Sequence, residues 1–153
     1  MSAAVTDRRS FLTIAALPVL SALPAQAQSN RFEADIGPLI EKLTAGKPVA
    51  AGRVQFTLPA FAENGQSVPV TISVAASEGA VKSLHLFAPR NPRPNIANFY
   101  FGPRSGKPAV TTRIRLAGTQ TLRVIAVFAD GSFGSATAPV EVTASACLDM
   151  TAS

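Results

Sequence analysis

Between Val54 and Val74 the apolar residues recur at every second position. Val54, Phe56 and Leu58 alternate with polar neighbours, and Val68, Val70, Ile72 and Val74 share one face after the turn chemistry of Glu63-Asn64-Gly65-Gln66. A period of two is the mark of half-buried strands. Pro69 is expected near a strand start or an unpaired edge, because it has no N–H for a ladder. Further strands are predicted over 81–87, 97–101, 111–116, 121–129 and 140–144, separated by the proline- and glycine-rich breaks 89–95 and 102–108 and by the tight-turn pair Asp130-Gly131. Roughly seven short strands with regular turns predict an all-β domain, an immunoglobulin-like antiparallel β-sandwich, over 53–144. One helical stretch precedes it. Pro38 stands at a permitted first position, Gly46 follows as a stop, and Leu39, Ile40 and Leu43 form the expected buried stripe. Residues 28–52 therefore read as a linker with a short N-terminal helix, and 145–153 as a C-terminal arm.

The first 27 residues have a different pattern. Arg8-Arg9 is followed by an uncharged apolar stretch, and Ala25-Gln26-Ala27 offers the small residues of a cleavage site. This is the layout of a removable secretory signal, too short and too proline-interrupted for a membrane anchor. Arg8-Arg9-Ser10-Phe11-Leu12 resembles a twin-arginine signal, which directs folded proteins to the periplasm. It departs from the usual pattern at Asp7 and Thr13, and an ordinary secretory signal is the alternative.

Composition narrows the partners. The leader takes Asp7, Arg8 and Arg9 with it, so a net charge of +5 falls to about +4. That balance is mildly basic, without the dense basic run or stacking motif of a nucleic-acid binder. A single cysteine excludes an internal disulfide in an exported chain, leaving a small buried hydrophobe, an intermolecular pair or a free thiol. With one histidine, His85, a histidine-rich metal cluster is excluded, and His85 reads as a satisfied or exposed strand residue. No phosphate loop or nucleophile elbow is present, so neither a catalytic residue, a metal nor a cofactor is expected.

Two features remain. Arg113 and Arg115 flank inward-facing Ile114 and share a strand face, while Asn98 and Tyr100 share a face opposite Phe99 and Phe101. All four are candidate contacts for an anion or a partner, with a solvated outer face as the alternative. Alternation along the last strand puts Val140, Val142, Ala144 and Ala146 inward, and Glu141, Thr143, Ser145 and Cys147 outward. A small-residue end of this kind is expected to fray. An accessible thiol there suits transfer between partners, although no basic residue lies near it in sequence to lower its pKa.

The segments Glu63-Asn64-Gly65-Gln66-Ser67-Val68-Pro69-Val70, 87–103 and Thr112-Arg113-Ile114-Arg115-Leu116-Ala117 resemble SoxY, the sulfur-carrier subunit of the thiosulfate-oxidising Sox system. The resemblance implies a periplasmic immunoglobulin-like sandwich that pairs with a SoxZ-like subunit as a heterodimer. It implies covalent sulfur attachment at Cys147, to which a haem enzyme couples thiosulfate and from which other Sox enzymes work. The chain would then be a carrier, not an enzyme. The family's arm usually ends in Gly-Gly-Cys-Gly-Gly. Here Ser145 and Ala146 precede Cys147, and Leu148 and Asp149 follow it. Glycines make an arm slim and free, and this arm is bulkier. The alternative function is a SoxY-like non-covalent binding or scaffold module in which Cys147 carries nothing. A Cys147–Cys147 disulfide homodimer is also chemically open to a lone accessible thiol.

Overall fold

The structure, a computed structural model, describes residues 34–77 and 79–144. The leader, Cys147 and the rest of the arm lie outside the described residues.

Helix α1 (Gly37–Thr44) is followed by strands β1 (Val49–Ala51), β2 (Val54–Thr57), β3 (Phe61–Asn64), β4 (Val68–Val74), β5 (Val81–Phe87), β6 (Asn95–Tyr100), β7 (Ala109–Ile114), β8 (Gln120–Phe128) and β9 (Phe133–Ala144). A larger sheet runs β1-β9-β8-β5-β6, with β3 also on β9, and a smaller one runs β2-β4-β7. The chain changes sheets early: β2 pairs antiparallel with β4, and after Leu58-Pro59-Ala60 β3 pairs parallel with the end of β9. The two layers form the expected immunoglobulin-like sandwich.

The alternation read along β4 is the pattern observed: Val68, Val70, Ile72 and Val74 are buried. They meet Leu84, Leu86, Leu122, Val124 and Val140 of the opposite sheet. Each such side chain contributes about 1.5–3 kcal/mol by leaving water. Pro69 is the second residue of β4 and lies beyond the β2 ladder, which covers Thr71–Val74, so its missing N–H interrupts little.

A second cluster lies on the outer face of the larger sheet. Phe87, Ile125 and Phe133 are covered by Ile36, Ile40 and Leu43 of the helical segment, with Val49 and Val127. Ile40 and Leu43 thus pack as expected. Leu39 does not. It is 40% exposed, because Ile36, one turn before Ile40, takes the inward position instead. Ala45 closes the helix in the left-handed region, with Gly46 at φ +73° after it.

Three differences from the sequence pattern concern strands. β1, within the stretch read as linker, pairs parallel with Phe133–Ser135 of β9. β3 pairs parallel at the other end of β9, although only Ala62 of its four residues is buried. β9 itself is twelve residues long, starting at Phe133 rather than 140, and Ala144 is exposed rather than core-facing. The Asp130-Gly131 turn before it forms as expected, with Ser132 donating both its N–H and its hydroxyl to Asp130 Oδ1 (2.8 and 2.6 Å). Those bonds, the hydroxyl's first, hold the Asp130 carboxyl below the usual range.

Candidate functional site

Cys147 follows the strand end that the structure describes, so the anchoring of β9 decides where the arm departs. Two latches hold that end. Thr119 Oγ1 accepts the Val142 N–H at 2.9 Å. One step further, the Gly65 N–H donates to Ala144 O at 2.7 Å, while Gly65 O accepts the Leu116 N–H at 2.8 Å. Gly65 therefore bridges the strand end to the β7–β8 connection. It must be glycine, since a Cβ there would overlap the Leu116 carbonyl oxygen. The turn before it is set by Asn64, whose Oδ1 accepts the Gln66 N–H at 2.7 Å.

The same end of the sandwich carries a polar network that the sequence reading treated only as loops. Asn91 Nδ2 donates to Arg115 O at 2.8 Å, and its Oδ1 accepts the Ala117 N–H at 2.9 Å and Gln120 Nε2 at 3.2 Å. Gln120 is buried, and its Oε1 accepts the Arg90 N–H at 2.9 Å. Arg90 also donates Nη1 to Thr119 O at 2.6 Å. Amides satisfy such crossing loops because one side chain both donates and accepts. Asn91 and Gln120 were not singled out, and composition alone carries no signal for them. Their partners come from segments about 25–30 residues away in the chain, which only folding brings together.

Arg113 and Arg115 are exposed on either side of buried Ile114, as expected. They border a groove of about 600 Å³ between the free edges of β6 and β7, with Arg93 on its other side and Ile96 and Phe99 in its floor. Such a cationic rim over an apolar floor can attract an anionic group that also carries apolar surface.

Asn98 and Tyr100 belong elsewhere. They project from the outer face of the larger sheet with His85, and so are not brought together with Arg113 and Arg115. Asn98 Oδ1 lies 2.8 Å from His85 Nδ1, and Ser83 Oγ lies 3.0 Å from His85 Nε2. With Asn98 Oδ1 accepting, Nδ1 carries the proton and Nε2 accepts from the Ser83 hydroxyl. His85 is thereby satisfied, as one of its two readings expected. Tyr100 sits edge-on to its ring at 6.1 Å and is 76% exposed, the largest exposure among the large apolar side chains described.

Burial lowers the His85 pKa from its ordinary 6.5, with the Asn98 bond opposing. The unfolded chain therefore takes up a proton first on acidification. The stability contribution of His85 is complete above about pH 6.5 and is lost as pH falls toward the folded-state pKa. We expect the melting temperature of the native protein to fall more than that of His85→Gln between about pH 7.5 and about pH 5. Parallel curves would show that His85 is not the group responsible.

Among the described residues no group of three or more His, Cys, Asp or Glu side chains is arranged to hold a metal ion. No described helix is long and apolar enough to cross a membrane.

These features define an immunoglobulin-like sandwich with a basic groove between the free edges of its two sheets. The chain belongs to the SoxY family: residues 40–147 match the family described as sulfur oxidation protein SoxY. Among solved structures it is similar to the sulfur carrier protein SoxY from Chlorobium limicola f thiosulfatophilum, at 31% identity and a TM-score of 0.60, covering 69% of this chain and 89% of that one. A superoxide reductase (neelaredoxin) from Ignicoccus hospitalis is similar at 17% identity and a TM-score of 0.51, covering 60% and 80%, a likeness of fold alone. No curated protein matches.

Proposed function

We propose that this chain is a periplasmic sulfur carrier of the Sox system, which holds thiosulfate-derived intermediates covalently on Cys147 and presents them to Sox enzymes. The observation that supports this most is the extent of the family match, which runs through residue 147 and so includes the chain's one thiol. The Chlorobium relative is itself described as a sulfur carrier.

In this reading the Cys147 thiolate and the outer sulfur of thiosulfate form an S–S bond. The product is a cysteine S-thiosulfonate, and the two electrons released pass to a haem enzyme. The thiolate is the reacting form, so the reaction requires the Cys147 thiol to give up its proton in the enzyme's site. A SoxZ-like subunit completes the heterodimer, and the twin-arginine leader exports the folded protein. The arginines and the exposed Tyr100 are the contacts offered to anions and partners. Tyr100 has the exposure and ring size of an interface anchor.

The test is mass spectrometry of protein from cells grown on thiosulfate. Sulfur-containing adducts on Cys147, lost on reduction, are expected, with none in Cys147→Ser. Thiosulfate-dependent growth should be abolished in that strain while the protein stays folded. An unmodified thiol in the wild type would sink the carrier reading. A second reading, a non-covalent binding module, draws on the groove and on the replacement of the arm's usual glycines. It predicts that Cys147→Ser leaves growth intact.

A further inference from the structure

Strand β6 is a free edge of the larger sheet, and it lacks the protection such edges usually carry. The free edges β1 and β2 are only three and four residues long, and β7 bears Arg113. Asn95–Tyr100 contains neither a charge nor a proline. Its one irregularity, the register shift opposite Leu86 and Phe87, falls at the start, so Ala97–Tyr100 pairs regularly with Ser83–Leu86. Sheets guard their edges with short strands, charge, proline or bulges because outward N–H and C=O groups recruit another strand.

The outward groups of β6 follow from its ladder. The Phe101 N–H donates to Lys82 O at 2.9 Å, one step beyond the Ser83–Tyr100 pair. Bonded and non-bonded pairs alternate in an antiparallel ladder, so Phe99 and Ala97 bond to β5. Asn98 and Tyr100 then present their N–H and C=O groups to the open side, and both residues are exposed.

The surroundings specify what adds there. Ile96 and Phe99 are half-buried in the floor of the adjoining groove, Arg93, Arg113 and Arg115 border it, and no carboxylate lines it. Among the described residues no hydrogen bond engages the guanidinium groups of Arg93 and Arg115, and Arg113 reaches only Ser67 Oγ, at 3.4 Å. A second copy of this edge would bring a second set of the same arginines to one place, which like charge disfavours. An acidic strand meets no such cost.

We propose that β6 is a docking edge for an extended acidic segment of another protein. The segment adds as a strand along Ala97–Tyr100 and bonds to the N–H and C=O groups of Asn98 and Tyr100. Its carboxylates face Arg93, Arg113 and Arg115, and its apolar side chains rest on Ile96 and Phe99. Main-chain bonds supply the affinity in such additions, and here the arginines select by charge. The proposal does not rest on what Cys147 carries.

Amide exchange of the full chain, read residue by residue by NMR, tests it with two end-blocked peptides. One alternates glutamate with valine, the other lysine with valine. The acidic peptide should slow exchange at Asn98 and Tyr100, and the basic one should not. In the double variant Arg113→Glu, Arg115→Glu the acidic peptide should bind about tenfold or more weakly, because favourable charge contacts become repulsive. The basic peptide should then take its place. Tyr100→Pro should abolish the slowing at Asn98, since it removes an outward N–H and spares the bonds to β5. Tyr100→Ala keeps that N–H and should retain the effect. Failure of the acidic peptide to slow either amide in the native protein would overturn the proposal, as would equal slowing by both peptides. So would slowing that grows with protein concentration alone, which would assign the edge to a second copy.

Discussion

Gly65→Ala is expected to lower the melting temperature by about 10 °C, from a loss of about 2–4 kcal/mol. The added Cβ would overlap the Leu116 carbonyl oxygen, and it would also lie 3.1 Å from Val142 Cγ1 and 3.2 Å from Ala144 O. Two of these three obstacles are backbone atoms inside hydrogen-bonded segments, so no rotamer change relieves them. The turn has to move, and both bonds that Gly65 makes, to Ala144 O and from the Leu116 N–H, lengthen or break. A well-chosen control is Gly102→Ala, whose Cβ would meet only Ser105 Oγ at 3.7 Å. Thermal unfolding by circular dichroism distinguishes the two, and amide exchange at Leu116 reports the latch itself. Equal melting temperatures for both variants would refute the latch. The same change bears on the proposed carrier role, because β9 is the strand that precedes Cys147 in the chain.

Much of the sandwich was legible because its inner faces obey one rule. β4 alternates without a break, and Leu84 and Leu86, on either side of His85, are both buried in the main core. The rule weakens where both faces of a strand are covered. Ser83 and His85 are buried despite facing away from the main core, because Asn98, Tyr100 and each other's polar atoms lie over them. The first half of β9 failed for a related reason. Gly134, Ser135, Ala136, Thr137 and Ala138 have no amphipathic contrast, and they are strand because β8 offers a complete ladder opposite them. β1 and β3 are short and take their conformation from β9, so their own residues carry little of the signal.

The candidate site was legible in its residue types and not in its grouping. Arg113 and Arg115 were recognisable as a cationic face from their spacing alone. That Arg93, Ile96 and Phe99 lie across a groove from them depends on β6 and β7 being the free edges of different sheets, which no local pattern encodes. Asn98 was grouped with Tyr100 as a contact residue, and its hydrogen bond to His85 now gives it a structural task as well. The role proposed for Cys147 rests on the likeness to SoxY, because the residue pattern by itself leaves a buried hydrophobe, an intermolecular pair and a free thiol open.

The other large effect is expected at Asn91, where one side chain ties two loops together. Asn91→Ala removes the donor to Arg115 O and the acceptor shared by the Ala117 N–H and Gln120 Nε2. Gln120 is 6% exposed, so water does not readily replace what its amide loses, although Gly118 O at 3.2 Å retains part of it. Three bonds at about 1 kcal/mol each, with a further cost for buried groups left short of partners, put the loss at about 3 kcal/mol. Asn91→Asp should lose less. A carboxylate still accepts from Ala117 and Gln120, but it turns the 2.8 Å contact with Arg115 O from a hydrogen bond into a repulsion. Urea unfolding gives the ordering directly: the midpoint should fall in the order native, Asn91→Asp, Asn91→Ala, with an unchanged slope. A loss below about 0.5 kcal/mol for Asn91→Ala would show that the loops hold without it. Asn91 also lines the basic groove, where it stands between Arg90 and Arg93 in the chain and bonds the backbone of Arg115.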